Sequence, residues 1–374
     1  MLYSNVVEEL KNNKERRIKG DVIAIPWSLD RLSTVLPGIE KGRYNLISAG
    51  AKCGKSQLTD FLYVYQPVEW MIKNPTSDIT LKTFYFSLEQ NKQTKLKSAM
   101  CYKLYKDYNI LIGPQKLNSI FSNYILDDKI EAIVNSDEFR NWFIKFESMV
   151  TYYDSIRSPN SIFHLVKSYA EHPSNGSYTY KTISWQNDDN TYSPRQVRDK
   201  YIPVRPNEFV EVIVDHLSLL QPASGETLHQ AISKYSSEYC LEFRDRWGYI
   251  PISVQQQSAE STRAQFNYRG DTILDKVKPD QEGLGENKLT SRDCDLMLSL
   301  FYPKRYNLKE YEGIDLDRMG DSHRDLTINL NRYGISNASI QLLFLGSSSY
   351  FAELPRTLSE FDYVNYEQII KSQI

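Results

Sequence analysis

Cysteine is scarce: Cys53, Cys101, Cys240 and Cys294 are the only four in 374 residues, and no two lie close together. That spacing excludes the usual zinc pairs and small disulfide frameworks, and it reads as reduced thiols in a cytosol-like compartment. Long hydrophobic runs are also missing; none approaches the roughly 20 residues of a bilayer span, and the N-terminus lacks the charged-then-apolar order of a secretory leader. A soluble cytoplasmic protein without a membrane partner is expected. Neither sign of charge dominates, with 45 Lys and Arg against 47 Asp and Glu and a net charge of −2. A globally basic nucleic-acid binder is thereby excluded, while a nucleic-acid enzyme with a local basic surface is not.

What is present is a series of short apolar runs. Residues 42–50, 78–89, 209–220, 249–257, 294–302, 326–334 and 339–346 each have strand length and strand composition. Between them lie amphipathic stretches of helix length, such as 227–247 and the segment after residue 56, which is expected to be interrupted near Pro67. Alternation of this kind predicts an α/β domain with a mostly parallel central sheet flanked by helices, and ligand sites beyond the carboxyl ends of its strands. Residues 1–20 read as a separate amphipathic helix with Leu2, Val6, Val7 and Leu10 on one face. The domain is expected to run over 21–350, interrupted by a Tyr-rich insertion at 171–208, and 351–374 reads as a C-terminal tail helix.

The chemistry begins at "ISAGAKCGKSQL", residues 47–58. Ala49-x-x-x-x-Gly54-Lys55-Ser56 has the spacing of a phosphate loop, with a strand before it and a helix after. Small residues let backbone N–H groups converge on phosphate oxygens, a lysine reaches the β- and γ-phosphates, and a hydroxyl ligates Mg²⁺. ATP and Mg²⁺ are the expected cofactors, with Ala49, Gly50, Ala51, Lys52, Cys53, Gly54, Lys55, Ser56 and Gln57 around the nucleotide. The thiol of Cys53 inside the loop is expected to make turnover sensitive to alkylation. Asp215 ends the run Val212-Ile213-Val214, where a carboxylate can share the metal with Ser56. Glu89 ends "FYFSLE" and is a candidate to activate water. Gln257 ends the fourth strand and is a candidate γ-phosphate sensor, and Arg332 follows a late strand as a candidate cationic finger.

Taken together, these stretches resemble the bacterial and phage replicative DNA helicases of the DnaB type, whose motor is a RecA-like P-loop NTPase. "FYFSLE" (84–89) is similar to the motif that carries that family's catalytic glutamate. "VIVDHLSLL" (212–220) looks like its metal-binding strand, "IPISVQQQ" (250–257) its sensing strand, and "SRDCDLMLSL" (291–300) the strand after its DNA-contacting loops. "INLNRYG" (328–334) resembles the strand whose arginine acts across a subunit boundary. The resemblance implies an ATP hydrolase that translocates on single-stranded DNA as a homo-oligomer, normally a hexameric ring, and unwinds duplex with 5′–3′ polarity. It leaves room for a primase and a loader as further partners. It makes residues 2–17 a linker helix that docks on the adjacent subunit. It also places Glu286, Asn287 and Lys288 in a DNA-gripping loop, with Arg263 and Arg269 as further phosphate contacts.

Two departures stand out: Leu330 and Gly285 occupy positions where the family often has cationic residues. A short chain with no counterpart of the family's N-terminal primase-interacting domain before residue 1 suggests a phage member, acting in the host cytoplasm. A RecA-like strand-exchange ATPase and a slow-hydrolysing regulator or loader are the alternative readings.

Overall fold

The computed structural model describes residues 2–20, 22–264, 266 and 272–372. The apolar runs become strands buried on both faces, which is why they read as nearly continuous apolar sequence. In chain order the strands are β1 (Asn45–Ala49), β2 (Thr80–Ser87), β3 (Val150–Tyr153), β4 (Gly176–Gln186), β5 (Tyr192–Pro203), β6 (Glu208–Asp215) and β7 (Ile250–Gln256). There follow β8 (Leu296–Phe301), β9 (Glu310–Tyr311), β10 (Ile314–Asp315), β11 (His323–Asn331), β12 (Ser339–Leu345) and β13 (Tyr350–Glu353). Nine of them form one sheet, ordered β13, β12, β11, β8, β1, β7, β6, β2, β3. The six strands from β8 to β3 in that order run parallel, and β11, β12 and β13 add an antiparallel edge.

Successive side chains of a strand face opposite layers, so one sheet feeds two cores. Ile47, Ile213, Ile252 and Leu298 pack into one with Phe61, Tyr65 and Phe146. Leu46, Val212, Val214 and Met297 pack into the other with Ile162, Ile232 and Phe243. The parallel register decides where the chemistry goes. Ser87 pairs with Asp215, Asp215 with Val254, and Ala49 with Gln256, so the carboxyl ends of β1, β2, β6 and β7 meet at one edge of the sheet.

Three expectations change. The helix after the phosphate loop is not interrupted at Pro67: Lys55–Asp60 is α-helical, Phe61–Tyr65 forms a π turn, and Gln66–Lys73 is α-helical with Pro67 in its first turn. A proline ring clashes with the carbonyl four residues back and lacks an N–H, and the wider π turn accommodates both. A domain boundary at residue 350 would cut off β13, which pairs with β12 and closes the sheet, so the domain extends through Glu353. The tail helix, Glu360–Lys371, lies on the domain: Arg318 bonds Glu360 and Glu367, and the Tyr363 hydroxyl accepts from the Asp315 amide.

The Tyr-rich insertion is a two-stranded ribbon, β4 against β5. Its root is anchored where the Tyr201 hydroxyl donates to the Ala170 and Asn175 carbonyls, while Tyr180, Trp185 and Tyr192 further out are exposed. The N-terminal helix, Leu2–Ile18, touches the domain through Arg16, which reaches Asn207 and Asp78. Its residues Tyr3, Val6 and Leu10 are exposed. No described helix is long and apolar enough to cross a membrane.

Candidate active site

Beyond the carboxyl ends of the strands lies a cavity of about 580 Å³ whose floor is Lys52, Gly54, Lys55, Ser56 and Gln57. The loop adopts its shape because Lys52 and Gly54 take positive φ values of 57° and 99°, and a Cβ on Gly54 would meet the Phe344 ring at 3.1 Å. Glycine is therefore needed at 54 for both conformation and space. Two arginines hold loop carbonyls: Arg305 donates to Ala51 O at 2.7 Å, and buried Arg324 donates to Cys53 O at 2.7 Å while lying over the Tyr302 ring. The helix starting at Lys55 points its free N–H groups toward this loop, the arrangement that receives phosphates.

Behind Ser56 stands Asp215, almost fully buried at the tip of β6. The Ser56 hydroxyl donates to Asp215 Oδ1 at 2.9 Å, and the Tyr85 hydroxyl donates to Oδ2 at 3.0 Å. Burial pushes the Asp215 carboxyl up, but Lys95, Ser56 and Tyr85 more than offset it and leave the group below the ordinary carboxylate range. A hydroxyl beside an ionised carboxylate is the hard oxygen pair that Mg²⁺ takes alongside phosphates and water, so these residues fit the expected cation. Glu89 lines the same cavity with its side chain half exposed, and its carboxylate lies 3.9 Å from His216 Nε2. Burial, reinforced by Lys55, holds the His216 imidazole below its ordinary value. At neutral pH it stands beside Glu89 uncharged.

Gln257 follows β7 and is buried, but its side chain does not line the cavity. Its amide N–H donates to Ala49 O at 2.9 Å, and Nε2 donates to Ser48 Oγ and Asp280 O, both at 2.9 Å. A Cβ on Gly283 would fall 2.1 Å from Gln257 Oε1, so that glycine is what lets the 280–285 loop approach. Gln257 thus ties the base of the phosphate loop to the segment that continues into Glu286, Asn287 and Lys288.

Arg332 is elsewhere. Its amide donates to Asp295 O at 2.9 Å, its Nη2 donates to Arg292 O at 2.8 Å, and its Nε lies 3.6 Å from Asp295 Oδ1. Because Asn45 pairs with Leu296 and Ala49 with Leu300, Asp295 and Arg332 sit at the start of β1 while the phosphate loop leaves its end. Five residues of strand, about 16 Å, separate them. Arg332 does not approach the phosphate loop of its own chain.

Of the DNA candidates, Arg263, Glu286 and Lys288 are exposed, with Lys288 Nζ 3.5 Å from Glu282. Asn287 departs from expectation: it is buried, and its side chain donates to His229 O and Ser233 Oγ and accepts from the Leu289 amide. It shapes the loop from inside and leaves no group for a DNA backbone. Arg269 lies outside the described residues. The Cys53 expectation also weakens, since the thiol is buried and burial raises its pKa despite Arg324 and Arg305 nearby. Low thiolate content and low access both slow alkylation.

Four residues escaped the sequence reading: Asp60, Lys95, Arg305 and Arg324. Fully buried Lys95 reaches both oxygens of Asp60 at 3.0 Å, the Tyr85 hydroxyl at 2.8 Å and Asp215 Oδ2 at 3.3 Å. Burial raises the Asp60 carboxyl and Lys95 pulls it back only in part, while burial lowers Lys95 and its two carboxylates more than restore it. The two-oxygen contact at 3.0 Å is the reason to write the pair as ionised.

The sheet order and this cavity recur in solved structures. A helicase ATPase domain superposes with a TM-score of 0.62 at 17% identity, covering 95% of this chain and 99% of that one. A DnaB-like replicative helicase, whose structure addresses its interactions with primase, superposes with a TM-score of 0.60 at 18% identity, covering 93% of this chain and 66% of that one. The chain has the RecA-like fold of these ATPase proteins. No family model matches the chain, and no curated protein matches it in sequence. The RecA-like sheet accounts for the meeting of Lys55, Ser56, Glu89 and Asp215 at one edge, because its parallel strands end together there.

Proposed function

We propose that this chain is an ATP-dependent DNA helicase of the replicative type, which assembles as a ring, encircles single-stranded DNA and unwinds duplex with 5′–3′ polarity. The observation that carries the reading is the Ser56–Asp215 contact set beside Lys55 and Glu89 in one cavity, on a fold shared with a DnaB-like replicative helicase. Lys55 and the loop amides bind the phosphates of ATP, and the volume is ample for a nucleotide. Ser56 and Asp215 hold Mg²⁺, which when bound neutralises phosphate charge. Glu89 takes the proton of the attacking water, and neutral His216 next to it adds no competing cation. Pro114 and Phe121 on the opposite wall offer the base an apolar surface.

Gln257 relays the state of the loop to the 280–290 segment, whose exposed Lys288 and Glu286 face solvent and, with Arg263, bear on the DNA. Arg332 completes a neighbour's site, which its distance from its own loop supports. The exposed face of the N-terminal helix, with Tyr3, Val6 and Leu10, docks on the adjacent subunit, and a primase and a loader are the further partners to test. The testing experiment is unwinding of a forked duplex with ATP and Mg²⁺. Activity that Lys55→Ala abolishes supports the reading; no unwinding by the wild-type chain, or unwinding that survives the substitution, refutes it.

A further inference from the structure

Asp215 has two carboxylate oxygens, and the chain treats them differently. Oδ1 faces Ser56 at 2.9 Å; Oδ2 is held from behind by the Tyr85 hydroxyl at 3.0 Å and by Lys95 Nζ at 3.3 Å. Lys95 is itself fixed by both oxygens of Asp60 at 3.0 Å and by Tyr85 at 2.8 Å, and all four side chains are buried. The cluster joins three elements that the sequence keeps far apart: the helix of the phosphate loop through Asp60, the tip of β6 through Asp215, and the helix after β2 (Lys92–Tyr108) through Lys95. Without the lysine, two buried carboxylates would share one hydroxyl with no charge between them, and Oδ2 would keep a single donor.

We infer that Lys95 is a positioning residue for the metal site: it occupies Asp215 Oδ2 from the rear, so that Oδ1 alone is presented beside Ser56 to the cation. Asp60 anchors Lys95 and makes no contact with Ser56 or the loop amides. The inference rests on the nucleotide-site reading above and deepens it by naming the group that aims the metal carboxylate. A carboxylate with one oxygen engaged offers a single defined ligand, which suits the strict octahedral geometry of Mg²⁺. One that can rotate loses that definition.

The test is the affinity of the full-length protein for a fluorescent ATP analogue, measured with Mg²⁺ and again in EDTA. The ratio of the two dissociation constants reports how strongly the cation supports binding, and it is independent of turnover. Asp60→Leu/Lys95→Met replaces the buried pair by apolar groups of similar size, and Asp60→Asn disturbs the pair but keeps the cation. The double variant should lose at least tenfold of the Mg²⁺ ratio with its EDTA affinity within about twofold of wild type, whereas Asp60→Asn should stay within about twofold in both. If the double variant does not unfold cooperatively as a folded chain, Asp60→Asn/Lys95→Gln carries the same comparison. An unchanged ratio in the folded double variant overturns the inference, as does an equal loss in Mg²⁺ and in EDTA, which would mark damage to the loop. A wild-type protein that binds no nucleotide, or a Lys55→Ala variant that binds as wild type, would instead overturn the nucleotide-site reading itself.

Discussion

The two ends of the parallel strands are built from similar residues and do opposite things. At the carboxyl ends, Lys55, Ser56, Glu89 and Asp215 converge on one cavity, and behind them Lys95 and Asp60 neutralise each other out of solvent. At the amino ends, buried Asp295 gathers Arg244, Arg332 and the Tyr44 amide, and Arg43 lies over the Tyr333 ring at 3.5 Å. The first end is a complete binding surface lacking a cation to close over a γ-phosphate. The second holds a half-exposed arginine with no phosphate loop near it. Each end supplies what the other lacks, which is the geometry of a heterologous contact that closes into a ring.

Breaking the carboxyl end should have the largest effect. Lys55→Ala should reduce ATP turnover and unwinding to background, read by phosphate release and a forked-duplex assay. Glu89→Gln should lower turnover about 10²–10³-fold with nucleotide affinity preserved, since a general base acts on the transition state. Little change in turnover would shift the account toward a nucleotide-dependent regulator. At the amino end, Arg332→Ala should cost turnover on a similar scale, yet leave nucleotide affinity within about twofold, because its own loop is remote. Between the ends lies Glu211, whose carboxyl is pushed up to about 8 by burial, with only Thr83 donating to it. The folded chain keeps this proton up to about that pH, while the unfolded chain releases it near the ordinary 4.5. The stability it contributes is therefore complete below the lower value and lost as pH rises between the two. Glu211→Gln should raise unfolding free energy by roughly 1–4 kcal/mol at pH 8 and by little at pH 4, measured by urea titration. The smallest effect is expected at Cys53: alkylation should be slow, and a Cys53→Ser variant should resist whatever inhibition develops.

The carboxyl end was largely legible in the sequence, because an acid that terminates a buried apolar run must emerge where parallel strands finish. Asp215 and Glu89 follow from that rule together with the loop spacing. The support behind them was hidden. Lys95 sits among Lys92 and Lys97 in a stretch that reads as a solvated basic face, and Asp60 follows Thr59 in what looks like an ordinary amphipathic helix. Only their meeting across three elements reveals a buried charge cluster, and no local pattern encodes that. Arg305 and Arg324 were missed for the same reason, since they reach the loop from 252 and 271 positions away from Cys53. Asn287 shows the converse: its place in a loop suggested solvent contact, and its side chain turned inward to hold the loop together. The ribbon of β4 and β5 was visible as an insertion because its Tyr, Asn and Ser content breaks the alternation of strands and helices.

The claim that the two ends complete each other across subunits is tested most directly by mixing. Lys55→Ala subunits have a dead loop and an intact Arg332; Arg332→Ala subunits have the reverse. Each alone should hydrolyse ATP at background. In an equal, randomly assembled mixture about a quarter of the sites pair an intact loop with an intact arginine, so turnover should reappear well above the sum of the separate proteins. A mixture that stays at that sum, with mixed assembly verified by differential tagging, would contradict the account.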